Sequence, residues 1–283
     1  MEYADDTILF GRSLKFLQAA LTGLQEESEL YGLFLNLTKC AVMAYEQKQT
    51  KGEHGKRLQF RNGKIVKTTH KEMYLGGQVR ADYNTSYEVG RRIALGEATY
   101  RDMKRILLDR KLSVHRKLQI YHACIATKVL YGLETLSITL RDIQRLEVFE
   151  HRIIRRVLRI PVSMISHVSK EQVMQQSQVT KCLPNMLLYK QLQLLGHLVR
   201  APIRDPTRIV CLEPQPIAKV RKLARGIQRV GYKDSSWWFS RARGQILGDF
   251  SIESAHDRAG WRNAIQRRCE GRVSSWRVDG RRR

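Results

Sequence analysis

The stretch Tyr3-Ala4-Asp5-Asp6-Thr7-Ile8-Leu9-Phe10 sets two adjacent aspartates among aromatic, β-branched and leucine side chains, and it reads as a strand or hairpin. Neighbours along a strand point to opposite faces, so Asp5 and Asp6 reach one site only if the chain turns between them. Two carboxylates at a hairpin tip are hard oxygen donors of the kind Mg²⁺ prefers, because that ion keeps several waters that phosphate oxygens can replace. Two such ions about 4 Å apart can hold both the attacking and the leaving oxygen of a phosphoryl transfer. A solvated Asp-Asp turn is the plainer alternative. The pair alone favours that alternative, and only the order of features after it tips the balance towards chemistry.

Gly11 interrupts the strand, and Ser13 is placed to cap a helix that carries Leu14, Leu17, Leu21 and Leu24 on one face and stops at Gly32. Leu33 to Tyr45 alternates loosely and is expected to be extended, with Lys39 and Cys40 inside it. Asn62-Gly63, between Leu58-Phe60 and Ile65-Val66, predicts a two-residue hairpin. Tyr74-Leu75-Gly76-Gly77 reads as one more short strand. After about residue 86 the period changes from two to between three and four. Val114, Leu118, Tyr121, Ile125 and Val129 make one stripe, and Leu146, Phe149, Ile153 and Val157 make another, which should be buried against Leu118, Tyr121 and Ile125. Arg152, Arg155, Arg156 and Arg159 surround the second stripe and are expected on a shared outer side, unless they merely pair with Glu147 and Glu150 at helical spacing. Pro161 closes that helix. A third helix is expected over Leu187 to Val199, and from about residue 213 the pattern loosens.

The chain of 283 residues has 51 Lys+Arg against 27 Asp+Glu, a net charge of +24, with 42% apolar residues and 6 Pro. Wholesale disorder is unlike this composition. Residues 1–45 are net acidic, with 3 basic against 6 acidic residues, whereas the rest is strongly basic. A basic surface of this size suits a polyanion, nucleic acid before an anionic membrane. No apolar run approaches the roughly 18–20 residues of a spanning helix, and the acidic start differs from a signal or transit peptide. Five cysteines without close spacing argue for a reducing compartment and against a disulfide framework or a zinc knuckle. No Ser/His/Asp order and no glycine-rich phosphate loop stands out. His115, His122, His151 and His197 fall on helical patterns and read as packing or surface residues. Trp237, Trp238 and Trp261 read as core anchors before base-stacking groups.

Tyr3-Ala4-Asp5-Asp6 followed by Thr7-Ile8-Leu9 resembles the YADD box of reverse transcriptases. Gly32-Leu33-Phe34-Leu35-Asn36-Leu37-Thr38-Lys39-Cys40 resembles the next palm motif of the non-LTR (LINE-type) retrotransposon enzymes, and Tyr74-Leu75-Gly76-Gly77 resembles their primer grip. Leu130-Tyr131-Gly132-Leu133-Glu134-Thr135, Leu146-Glu147-Val148-Phe149-Glu150 and Arg155-Arg156-Val157-Leu158-Arg159-Ile160 resemble their thumb. Leu195-Gly196-His197-Leu198-Val199-Arg200 and Asp257-Arg258 with Trp261-Arg262 resemble segments downstream of it. Each motif is weak alone; their order over residues 3–262 is the signal. The resemblance implies an α+β chain: the C-terminal part of a palm over 1–85, a helical thumb over 86–165, a helical post-thumb segment over 166–212, and a basic extension over 213–283.

It further implies that Asp5 ligates catalytic Mg²⁺, two ions in the intact enzyme, with Asp6 assisting. Tyr3 and Ala4 would lie near the primer end. Lys39 would neutralise the dNTP triphosphate or protonate departing pyrophosphate, unless it is a plain exposed strand lysine. Leu75 and Gly76 would press backbone against the primer, where a missing side chain permits close approach. Arg152, Arg155, Arg156 and Arg159 would meet nucleic-acid phosphates. The implied partners are an RNA template, a DNA primer and their RNA–DNA hybrid, in a nuclear or cytoplasmic ribonucleoprotein. A third metal-binding aspartate and the fingers precede the YADD box in that family, so this chain, beginning two residues before it, is expected to be inactive alone, a truncated copy or one read from an internal methionine. The alternative is a non-catalytic helical nucleic-acid-binding protein derived from such an element.

Overall fold

The computed structural model describes residues 2–44, 57–177, 182–212 and 252–270. The chain divides into two compact units, Met1–Thr85 and Ser86–Arg283. Helices predominate and the strands are few and short, an α+β composition.

The first unit holds three two-stranded sheets and one helix among the described residues. Strands β1 (Glu2–Tyr3) and β2 (Asp6–Thr7) pair antiparallel, with Tyr3 opposite Asp6 and Ala4-Asp5 as the turn. Helix α1 (Leu14–Leu30) starts where Ser13 accepts the Phe16 N–H, and Gly32 leaves it at φ 71°. Strand β3 (Ala41–Val42) pairs parallel with β4 (Lys67–Thr68). Leu14, Leu17 and Leu21 pack on Leu58, Phe60 and Val66, the deeply buried apolar residues of this unit among those described. The side-chain amide of Gln18 bonds both backbone groups of Gln59, at 2.7 and 2.9 Å, and buried Gln25 accepts the Arg61 N–H. Two glutamines thus dock the helix on the hairpin edge and satisfy backbone groups that burial would otherwise leave unpaired.

Three expectations for this unit change. The Asn62-Gly63 hairpin is real, but its loop has three residues: the Phe60 carbonyl accepts from Gly63, the Phe60 N–H donates to the Lys64 carbonyl, and Gly63 takes the left-handed position. Tyr74-Leu75-Gly76-Gly77 is a turn rather than a strand. It joins β5 (Lys71–Tyr74) to β6 (Gly77–Arg80), with Leu75 at φ 47° and Gly76 at φ 75°. Lys39 sits in a turn organised by Asn36, whose Oδ1 accepts from the Thr38 N–H and hydroxyl; such a local bond competes with extended pairing. A left-handed leucine is strained, whereas the two-residue turn asks for that geometry at both positions. Leu75→Gly is therefore expected to stabilise the β5–β6 hairpin by about 0.5–1 kcal/mol, the strain removed less the flexibility gained by the unfolded chain. Slower hydrogen exchange at the β5 and β6 amides checks it; faster exchange would show that the leucine side chain contributes more than its backbone costs.

The second unit is helical. It contains α2 (Ser86–Leu107), α3 (Val114–Ile120), a π-helical segment (Tyr121–Ala126) and α4 (Thr127–Leu130), followed by α5 (Leu140–Val157), α6 (Ser163–Ser166), α7 (Lys170–Ser177), α8 (Leu183–Arg200), α9 (Pro206–Leu212) and α10 (Arg258–Glu270). The wider π turn keeps Tyr121, Ile125 and Ala126 all fully buried. Helix α5 opens with a reciprocal cap between Thr139 and Asp142, and Asp142 also accepts from Ser86 and Arg145, which ties the starts of α2 and α5 together. Those hydrogen bonds hold the Asp142 carboxyl below its ordinary range although burial pushes the other way.

Leu146, Phe149, Ile153 and Val157 are buried with Tyr121 and Ile125 as expected, while Leu118 joins Ile154 and Val173 in a neighbouring cluster. Gly96 makes the closest approach in this core: a Cβ there would lie 2.4 Å from Val129 and 2.8 Å from Phe149, so α2 comes nearer to its neighbours than any side chain would allow.

Helix α8 begins four residues earlier than the leucine pattern indicates. Pro184 suits a first turn, and the cap comes from elsewhere: Glu150 of α5 accepts the Leu183 N–H at 2.9 Å. Trp261 is buried, as expected for a core anchor, and donates its indole N–H to the Leu192 carbonyl at 3.1 Å beneath Gly196. With Ile265 and Cys269 it packs α10 on Leu192, Leu195 and Val199 of α8, so α10 shares a core with that helix. Trp237 and Trp238 lie outside the described residues.

Candidate nucleic-acid interface

Helices α2 and α5 run side by side in the same direction. Arg152 and Arg156 of α5 both pair with Glu97 of α2, Arg156 at 3.2 Å, and the Arg156 guanidinium lies 5.4 Å from the centre of the Tyr100 ring. Further along, Arg159 donates to the carbonyl of Leu108, just past the end of α2. Arg159 occupies the left-handed position that ends α5, where the Ile160 N–H returns to the Arg155 carbonyl and the Arg159 N–H to that of Arg156. On α2, Arg101 and Lys104 follow Glu97 at the four- and seven-residue spacing of one helix face, both exposed and without an ion pair among the described residues. The result is two adjacent rows, Arg152, Arg156 and Arg159 beside Arg101 and Lys104, with Glu97 as the acid between them. One helical turn rises about 5.4 Å, so cations one turn apart recur along each row at about that interval.

Arg155 departs from the expected shared outer side. It is only 7% exposed and turns inward, donating to Ser166 Oγ at 3.2 Å and to the Val168 carbonyl. Its place on α5 is about 60° around from Arg152, enough to face the loop beyond Pro161 instead of solvent. The alternative pairing with Glu147 and Glu150 is not what forms either. Glu147 bonds Lys170 at 2.8 Å, and Glu150 is buried beside Tyr121 and the Leu183 N–H. Burial pushes the Glu150 carboxyl up to about 8 and the neighbouring Cys182 thiol up to about 12. Arg92 and Lys117 are also buried, Arg92 paired with Glu88 at 2.7 Å and stacked 4.6 Å from the centre of the Tyr131 ring, so these two cations serve the fold.

In the first unit the other candidates fall on three separate turns. Tyr3, Ala4, Asp5 and Asp6 share the first hairpin; Lys39 is in the Asn36 turn; Leu75 and Gly76 form the β5–β6 turn. Tyr3, Asp5, Asp6 and Lys39 are exposed. Ala4 takes φ 54°, a strained value for a residue with a Cβ, at the tip that carries Asp5. No group of three or more His, Cys, Asp or Glu side chains suited to a metal occurs among the described residues. Two exposed carboxylates supply part of a Mg²⁺ donor set, and the described residues do not complete a cage for a pair of ions. His122 and His151 are pushed down chiefly by burial, in keeping with packing roles. The five cysteines are free thiols, and no helix is long and apolar enough to cross a membrane among the described residues.

Glu97, Arg101 and Lys104 belong to this candidate surface, and reading the sequence missed them. The signal was present in the sequence: Val89, Ile93, Tyr100, Met103 and Leu107 recur at helical spacing, and that stripe packs inward and leaves Arg101 and Lys104 exposed. No protein-family model, curated protein or solved structure matches the chain.

Proposed function

We propose that this chain binds the backbone of nucleic acid, RNA or an RNA–DNA hybrid, along the α2–α5 rows, as a thumb-like part of a non-LTR retrotransposon reverse transcriptase. The paired basic rows carry the reading: five cations project from one rigid two-helix surface with one carboxylate among them. In that enzyme class Asp5 and Asp6 would belong to the Mg²⁺ site for attack of a primer 3′-OH on a dNTP. Among the described residues no third donor joins them. That shortage favours a second reading, a non-catalytic helical binder of nucleic acid. Both readings share the binding face and part only at catalysis, so Mg²⁺-dependent primer extension by residues 1–283 would exclude the second.

Affinity for an RNA–DNA hybrid should fall by about 0.7–0.9 log units per contacted phosphate for each tenfold rise in salt. Changing both Arg152 and Arg156 to Ala is expected to weaken binding and to flatten that slope by up to about two phosphates' worth, with little loss of stability because both pairs are exposed. Titration of labelled hybrid at several salt concentrations measures it. An unchanged slope in the double variant would remove the proposed interface.

A further inference from the structure

Immediately after the α5 row the chain presents Val162, Met164 and Ile165 to solvent, with exposures of 62, 87 and 71%. Single exposed apolar residues need no explanation, but three within four positions on one turn do. This turn is also firmly held. Ser166 Oγ donates to the Pro161 carbonyl at 3.1 Å and accepts the Val168 N–H at 3.3 Å. The N–H groups of Ile165 and Ser166 both return to the Val162 carbonyl, and His167 closes the turn at φ 54°. Beneath it the Arg155 guanidinium latches Ser166 and Val168, while its Nε and Nη1 are buried without a hydrogen-bond partner and no carboxylate among the described residues pairs with it. Burying a cation without a counter-ion is costly. Here that cost goes into holding an apolar turn outward in one shape.

We propose that the Val162–Ile165 turn is a wedge that packs against unstacked bases of the nucleic acid whose backbone lies on the adjacent arginine row. This wedge rests on the proposed binding function and adds which part of the ligand meets the turn. Charge complementarity selects the occupant. Arg159 precedes the turn by three residues and Arg152 stands about 60° around the helix from its latch, so a polyanion on the row brings its bases past Met164 and Ile165. Apolar side chains that insert between base steps, methionine and isoleucine among them, are a known means of opening a stack beside a gripped backbone. A duplex end or a single-strand junction, where unstacking is cheapest, is the preferred ligand.

The test uses the full chain and an RNA–DNA hybrid with a single-stranded overhang, carrying 2-aminopurine at the junction. Binding of the unmodified chain should raise the fluorescence of that base as it unstacks. The Met164→Ser/Ile165→Ser variant, altered only at exposed positions, should bind blunt duplex as before and lose the fluorescence rise and the preference for the junction. If the unmodified chain binds without a rise, or the variant keeps it, the wedge is wrong while the backbone interface stands. If the Arg152/Arg156 variant binds as tightly as the unmodified chain, the underlying reading fails first, a different result. Loss by the Ser variant of binding to anionic phospholipid vesicles, or of self-association in sedimentation, with the base signal intact, would assign the turn to a membrane or to a second copy and overturn the proposal.

Discussion

Phe149→Ala should destabilise the helical unit by about 3–5 kcal/mol. Phe149 is 1% exposed, at the centre of the stripe that joins α5 to the π-helical segment, and its ring edge lies against Gly96 of α2. Gly96 has no side chain and Val129 beside it is stiff, so neither can reach into the space an alanine would leave. The cost is therefore the lost transfer free energy together with an uncollapsed cavity. All four tryptophans lie beyond residue 86, so their fluorescence in a urea titration follows this unit alone. A loss below about 1 kcal/mol would mean that α2, α5 and the π segment do not share a core.

Glu150→Gln should make the same unit more stable at alkaline pH, by on the order of 3–5 kcal/mol at pH 8 and above, and leave it nearly unchanged near pH 4. Glu150 is pushed up to about 8 by burial, from 4.5, and is faced by Tyr121 of the π segment, Cys182 before α8, Lys170 of α7, and Glu147 of its own helix. A carboxyl that holds its proton more tightly folded than unfolded gives stability that is complete below about 4.5. That stability is lost as the pH rises towards 8, where the folded state must carry a buried charge or unfold. The glutamine keeps an acceptor for the Leu183 N–H and a polar neighbour for the Tyr121 hydroxyl but never ionises. His122 and His151, depressed by burial, act in the opposite sense at lower pH and are common to both proteins, so the difference between the two curves isolates Glu150. Parallel curves from pH 5 to 9 would show that the carboxyl is not closed off from water.

Local pattern alone determined much of this chain. The Ser13 cap, the leucine face of α1, the Asn62-Gly63 hairpin, the change to helical texture after residue 86 and the inward face of α5 were legible because each depends on residues within a turn or two of one another. The burial of Trp261 was legible from its size. Long-range partners were not. The start of α8 is set by Glu150, some thirty residues earlier, which no local cap signal reports. Arg155 and Arg156 are neighbours of one chemical type, yet one is latched under a loop and the other lies over Tyr100, because about 100° of helix separates what each faces. The same holds for the candidate site. Asp5 and Asp6 were visible as a pair, but a metal cage is a question of which other donors come within reach. A basic row becomes a surface only when a second helix, with Glu97, Arg101 and Lys104, is packed beside it. Residue types and periodicity set what each segment can do; packing between distant segments decides which side chains remain available to do it.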